Sequence, residues 1–180
     1  MISPHTNLPT LADLTEIALI NSEGQMTDQF DGKVGIYAIF DQAKVLQYVG
    51  YSRDVSLSLR QHLIRKPQQC YWLKVQTIER PNRTILEEIR DAWIAENGVT
   101  PVGNGSDAEQ WNQPIDAKAR MTPEEQAAYA ASDDLGKTKT LKQVARRVEA
   151  DVLAALEQRG VKMPIRFDPK SKEEGLLDLK

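Results

Sequence analysis

Residues 35–50 read GIYAIFDQAKVLQYVG, and two of them, Tyr37 and Tyr48, stand at matched places in the triplets Gly35-Ile36-Tyr37 and Tyr48-Val49-Gly50. A phenol can hold, donate or accept a proton, so two of them in one short hairpin can meet at a reactive site. Two phenols can equally be sheet aromatics that pack and hydrogen-bond locally. Both readings stand on the residues alone.

The elements that must position these side chains can be read around them. Val34–Phe40 is β-branched and aromatic in part and predicts a strand, Asp41-Gln42-Ala43-Lys44 a polar hairpin loop, and Val45–Val49 the returning strand. After Gly50 the pattern turns helical: Asp54 can cap, Val55, Leu59 and Leu63 repeat at i, i+4 and i+8, and Pro67 ends the run. Cys70–Ile78 predicts a third strand. A second helix opens at Pro81 or Asn82, places Ile85, Ile89, Trp93 and Glu96 on one face, and stops at Asn97-Gly98. The expectation is an α+β fold, a small three-stranded sheet with flanking helices in the order ββαβα, plus a C-terminal helical extension.

Outside this block the signals thin. Residues 1–32 contain one short apolar run, Ile17-Ala18-Leu19-Ile20, which suggests an added edge strand or a packed arm. Beyond Asn104, GSDAEQWNQPIDAKAR reads as a long connection, and Thr122-Pro123-Glu124-Glu125 as a capping box opening a short helix. Asp133-Asp134-Leu135-Gly136 breaks that helix. Residues 138–159 then carry Leu141, Val144, Val148, Val152, Ala155 and Leu156 as one apolar stripe, stopped by Gly160. Such a stripe must pack on the domain or on a protein partner. The tail KSKEEGLLDLK reads as loose. Three regions result: an acidic N-terminal arm over 1–32, a core domain over 33–104, and a linker with helical extension over 105–180.

Charge follows the same division. Residues 1–32 carry five acids and no Lys or Arg; residues 33–104 carry ten bases against seven acids; residues 105–180 carry thirteen against fourteen. A net +3 in the middle is small for a protein that binds nucleic acid by neutralising phosphates. Cys70 is the one cysteine, which excludes an internal disulfide framework and a cysteine-rich zinc site. No apolar run has the length of a membrane span, and the N-terminus lacks the charge and apolar pattern of a signal peptide. These features predict a cytoplasmic, reduced chain.

The paired triplets, the element order, Ser52-Arg53-Asp54-Val55 after the glycine and the closing Pro101-Val102-Gly103-Asn104 resemble the GIY-YIG nuclease superfamily over residues 33–104, and more faintly an atypical cyanobacterial and plastid branch of it. The resemblance implies a divalent-metal-dependent endonuclease, a hydrolase that binds DNA and uses Mg²⁺ or Mn²⁺. On that resemblance Tyr37 and Tyr48 match the catalytic tyrosines, His62 the first-helix His or Tyr, and Asn104 the terminal asparagine.

Two positions depart from the pattern. Where the resemblance calls for a phosphate-steadying arginine, counting from either Tyr48 or His62 gives Ser58. Arg60 is rotated from it by roughly 200° and Arg65 displaced by about 10 Å along the helix. The metal-holding glutamate falls on Ala92 or Arg90, so only Glu88, about 6 Å away on the same face as Ala92, could serve as a metal ligand. Loss of a charge-stabilising arginine costs several powers of ten in rate. The departures therefore favour a catalytically impaired, degenerate site on a nucleic-acid- or protein-binding module, with a protein partner on the 138–159 helix. The alternative is an active endonuclease acting through Tyr37, Tyr48, His62, Asn104 and a displaced Glu88.

Overall fold

In the computed structural model, which describes residues 8–180, the hairpin forms where the triplets place it. Strand β2 (Gly35–Phe40) pairs antiparallel with β3 (Leu46–Ser52), setting Tyr37 opposite Gly50 and Ile39 opposite Tyr48. A register shift between Ile39 and Phe40 accommodates one extra residue, Gln47. On its other side β2 pairs with β4 (Trp72–Thr77), and β4 pairs with the two-residue β1 (Ile17–Ala18). The sheet order is β1-β4-β2-β3, every pairing antiparallel. The expected three strands are thus four: Ile17–Ala18 adds an edge strand.

Every residue of β2 is buried, because both sheet faces are covered. Ile36, Ala38 and Phe40 join a core with Leu86, Ile89 and Trp93 of α2 (Arg83–Asn97). Tyr37 and Ile39 point the other way. Tyr37 there meets His62 of α1 (Val55–Arg65). Both helices start as their sequences dictate: Asp54 accepts from Leu57 N at 3.2 Å and Asn82 from Ile85 N at 2.8 Å. Gly98, at φ +84°, closes α2 in a left-handed conformation open to glycine.

The chain divides into two units, Met1–Trp111 and Asn112–Lys180. The described residues of the acidic arm pack into the first. Leu11 and Leu19 are buried, the Glu96 carboxylate accepts from Leu11 N and Ala12 N, and Trp93 Nε1 donates to the Pro9 carbonyl. The division falls at 111/112 rather than 104/105, because the segment after Asn104 forms α3 (Ala108–Asn112) and Trp111 is fully buried.

In the second unit, β5 (Ile115–Asp116) and a 3₁₀ turn (Lys118–Arg120) replace the expected connection. Helix α4 (Pro123–Ala131) carries the expected capping box between Thr122 and Glu125. The expected break after α4 falls at Ser132–Asp133, and the long helix α5 spans Asp134–Gln158, four residues earlier than expected, because Asp133 caps Gly136 N and leaves Gly136 inside the helix. Its stripe is covered within the unit: Val144, Val148, Val152 and Leu156 are buried. The tail is ordered, with α6 (Pro169–Glu173) and β6 (Leu176–Leu177), which pairs with β5 and buries Leu177 completely. The short Leu-Leu run gave too little periodicity to show this. No helix among the described residues is long and apolar enough to cross a membrane.

Candidate functional site

The strand pairing puts Tyr37 and Tyr48 diagonally across the hairpin, on the sheet face that meets α1. Gly50 lets them meet. A Cβ there would lie 2.5 Å from the Tyr48 ring and 2.9 Å from each of the two phenolic oxygens, so any larger residue would be driven into both hydroxyls. Tyr37 Oη and His62 Nε2 are 2.7 Å apart, and the Tyr48 ring lies 4.5 Å from the imidazole. Trp111 stacks on Tyr48 at 5.3 Å with the planes 4° apart, and Gly103 gives the close approach on that side. Tyr37, Tyr48, His62 and Trp111 are all buried.

Ser58, one turn before His62, donates to Ser52 Oγ at 2.7 Å, and Ser52 in turn donates to the Asp54 carbonyl. The hydroxyl of Ser58 is also a neighbour of the Tyr37 phenol. The structure therefore brings Tyr37, Tyr48, His62 and Ser58 into one neighbourhood. Arg60 is exposed, away from them. Asn104 ties the segment after Pro101 to the hairpin: its side chain accepts from Val49 N at 2.8 Å and donates to Val49 O at 2.7 Å. It pairs with the open edge of β3 as a neighbouring strand would.

The electrostatics freeze this cluster in its neutral form. Burial pulls His62 down to about 3, the nearby Arg65 charge adds to this, and the Trp111 carbonyl, close but without hydrogen-bond geometry to the buried Nδ1, opposes it. Burial pushes the Tyr37 phenol well above its usual range, with Tyr48 adding to the shift, and burial raises Tyr48 as well. At neutral pH none of the three changes charge. They can direct hydrogen bonds, but as a base either phenol would first have to become a buried anion, and His62 would have to become a buried cation beside Arg65.

Among the described residues no group of three or more His, Cys, Asp and Glu side chains comes together, and Glu88 belongs to no such set. Its neighbour Glu87 is engaged, accepting from Arg83 Nε at 2.7 Å and from Tyr51 Oη at 3.1 Å. The Arg83 bond, with Tyr51 second, holds that carboxyl below the usual range.

Beside Ser52 opens a cleft of about 640 Å³, lined by Val34, Tyr51, Ser52, Arg53, Pro81, Asn82, Arg83 and Leu86. Arg90 lies over the Tyr51 ring at 5.6 Å. Sequence reasoning missed the cleft and the two side chains that finish the cluster, Trp111 and Arg65. Arg65 is buried and donates to the Trp111 carbonyl at 2.9 Å. Trp111 lies past the expected domain boundary, and no local pattern ties it to the hairpin. Cys70 is fully buried, with Sγ 3.5 Å from the His62 carbonyl.

No family model matches the chain. A curated relative, the bifunctional monothiol glutaredoxin-S16, chloroplastic, of Arabidopsis thaliana, is 35% identical over 83 residues, which cover 44% of this chain and 28% of the relative. The match thus spans little more than a quarter of that protein. Its name is a glutaredoxin's, and this finding overturns the assignment to the GIY-YIG nuclease superfamily. The reading of the chain as an endonuclease or hydrolase, or as the degenerate descendant of one, goes with it. What stands is an α+β chain whose first unit carries a buried neutral Tyr–His–Tyr–Trp cluster beside an open, arginine-rimmed cleft.

Proposed function

We propose that the first unit is a binding module for a small anionic ligand with a flat apolar part, held in the cleft beside Ser52. The observation that carries this reading is the cleft's lining: an aromatic ring and apolar side chains inside, and the Arg53 and Arg83 guanidiniums at its edge. A guanidinium offers a fork of donors to an oxyanion, and Tyr51, Val34 and Leu86 offer apolar surface to a ring. Arg83 is shared with Glu87, so Arg53, exposed and without an ion pair among the described residues, supplies the uncompensated charge. The buried cluster acts as a rigid floor: it fixes the hairpin and α1, and through Ser58 it positions Ser52.

The test is titration with 1-anilinonaphthalene-8-sulfonate, an anion carrying flat rings, followed by its fluorescence. Saturable binding weakened about tenfold in Arg53→Gln supports the module, since a charge-assisted hydrogen bond contributes roughly 1.5–3 kcal/mol. Binding indifferent to Arg53→Gln removes the cleft from consideration.

A thiol–disulfide role is the second reading, favoured by the relative's glutaredoxin name. Thiol exchange requires an accessible thiolate. Cys70 would have to leave its buried place against the His62 carbonyl to take part. The same name also fits a module that works beside a thiol carried outside this unit, because the matched stretch is 28% of a protein called bifunctional. Reaction of the native chain with 5,5′-dithiobis(2-nitrobenzoate) separates the two: modification of Cys70 at the rate of a free thiol favours its direct use, and protection favours the module.

A further inference from the structure

Two lysines from different elements of the second unit converge on one aromatic ring. Lys118, in the 3₁₀ turn after β5, places Nζ 4.7 Å from the centroid of Tyr129 and 3.3 Å from its hydroxyl. Lys137, in the first turn of α5, places Nζ 5.5 Å from the same centroid. One ammonium over a tyrosine is an ordinary cation–π contact. Here two ammoniums lie against the same ring, and neither forms an ion pair with a carboxylate among the described residues.

Acids lie near in sequence but are occupied. Asp116 accepts from the Lys118 backbone N–H, and Asp133 from Gly136 N at the start of α5. Nor is the convergence a by-product of a basic surface, since residues 105–180 carry thirteen bases against fourteen acids. Because Lys118 donates to the Tyr129 hydroxyl, the phenolic proton remains to donate outward. The ring thus gathers three donor groups, two of them charged, around a partly exposed position on α4.

We propose that Lys118, Lys137 and the Tyr129 hydroxyl form a binding site for a tetrahedral oxyanion, a phosphate or phosphate monoester group. Such a group has three oxygens to accept from the three donors, and its two negative charges match the two ammoniums. Bound there, it bridges the 3₁₀ turn, α4 and the start of α5. The site is separate from the cleft of the first unit and does not depend on it.

The test is a ¹H–¹⁵N amide titration of the full chain with inorganic phosphate and, in parallel, glycerol 1-phosphate, against sodium chloride at matched ionic strength. The expected result is saturable shifts confined to the amides of 118–120, 128–130 and 134–138, absent with chloride. Affinity should fall about tenfold in Lys118→Gln and in Lys137→Gln, and stay unchanged in Lys139→Gln, an exposed lysine on the same helix. Tighter binding of glycerol 1-phosphate makes the ligand an ester; binding of inorganic phosphate alone makes it the free anion. Shifts that are reproduced by chloride, or that persist unchanged in both lysine variants, overturn the proposal.

Discussion

Asn104 offers the sharpest separation of structure from ligand binding. Its amide makes two short hydrogen bonds to one fully buried residue, Val49, accepting at 2.8 Å and donating at 2.7 Å. In Asn104→Ala both backbone groups lose their partner on the open edge of β3, at about 1–2 kcal/mol each, or roughly 3 kcal/mol together. In Asn104→Asp one oxygen still accepts from Val49 N, but the other turns a negative charge toward the Val49 carbonyl. At neutral pH that variant should lose about as much as the alanine. As pH falls and the new carboxyl protonates, its O–H can donate to Val49 O, so the Asp variant should recover relative to Ala. Urea unfolding followed by tryptophan fluorescence is the assay, because all three tryptophans, Trp72, Trp93 and Trp111, lie in the first unit. With a slope of about 1–3 kcal/mol/M, the midpoint should drop by roughly 1–3 M. Both variants staying within about 0.5 kcal/mol of the parent, or Asp showing no recovery over Ala on acidification, would refute this account of Asn104.

Further outcomes follow from the buried cluster. His62 is held neutral at about 3 in the folded chain against an ordinary 6.5, so the unfolded chain binds more protons between those values. Stability should therefore fall as pH drops below 6.5, by about 1.4 kcal/mol per unit down to about 3, and comparison with His62→Asn, which lacks this contribution, isolates it in urea titrations. Gly50→Ala should cost about 1–3 kcal/mol through overpacking against both tyrosines, read as a lower thermal midpoint. Cys70 should resist 5,5′-dithiobis(2-nitrobenzoate) in the folded chain and react at once in denaturant, as its complete burial requires.

The residues that announced themselves did so through local chemistry. Asp54, Asn82, Gly98 and the Thr122–Glu125 capping box each fix an element end by a hydrogen bond or a backbone conformation that the residue type alone implies. The approach of Tyr37 to Tyr48 across the hairpin and the spacing of Ser58 and His62 were legible because hairpin pairing and helical spacing are short-range rules, though neither rule joins Tyr37 to His62, 25 residues apart in sequence. Trp111 was not, since its stack on Tyr48 joins residues far apart in sequence and obeys no period. The ordered tail escaped notice for a related reason: Leu176–Leu177 is two residues long, and its partner Ile115 lies in a stretch rich in polar residues. Gly136 misled because glycine interrupts helices by propensity, whereas here the Asp133 cap begins the helix before it. The functional assignment went wrong at a different level. Motif spacing singled out residues for a nuclease site, but the relative found by comparison carries a glutaredoxin's name, and the neutral, buried state of those groups was visible only in three dimensions.

The central claim is that the first unit acts through its open cleft rather than through its buried tyrosines, histidine or thiol. Its most direct test is an amide-shift map of the chain titrated with naphthalene-1-sulfonate. The account predicts saturable shifts centred on Tyr51–Arg53 and Asn82–Leu86, lost in Arg53→Gln, with the Cys70 amide unmoved. Shifts centred on Cys70, or none in the cleft at saturating probe, would contradict it.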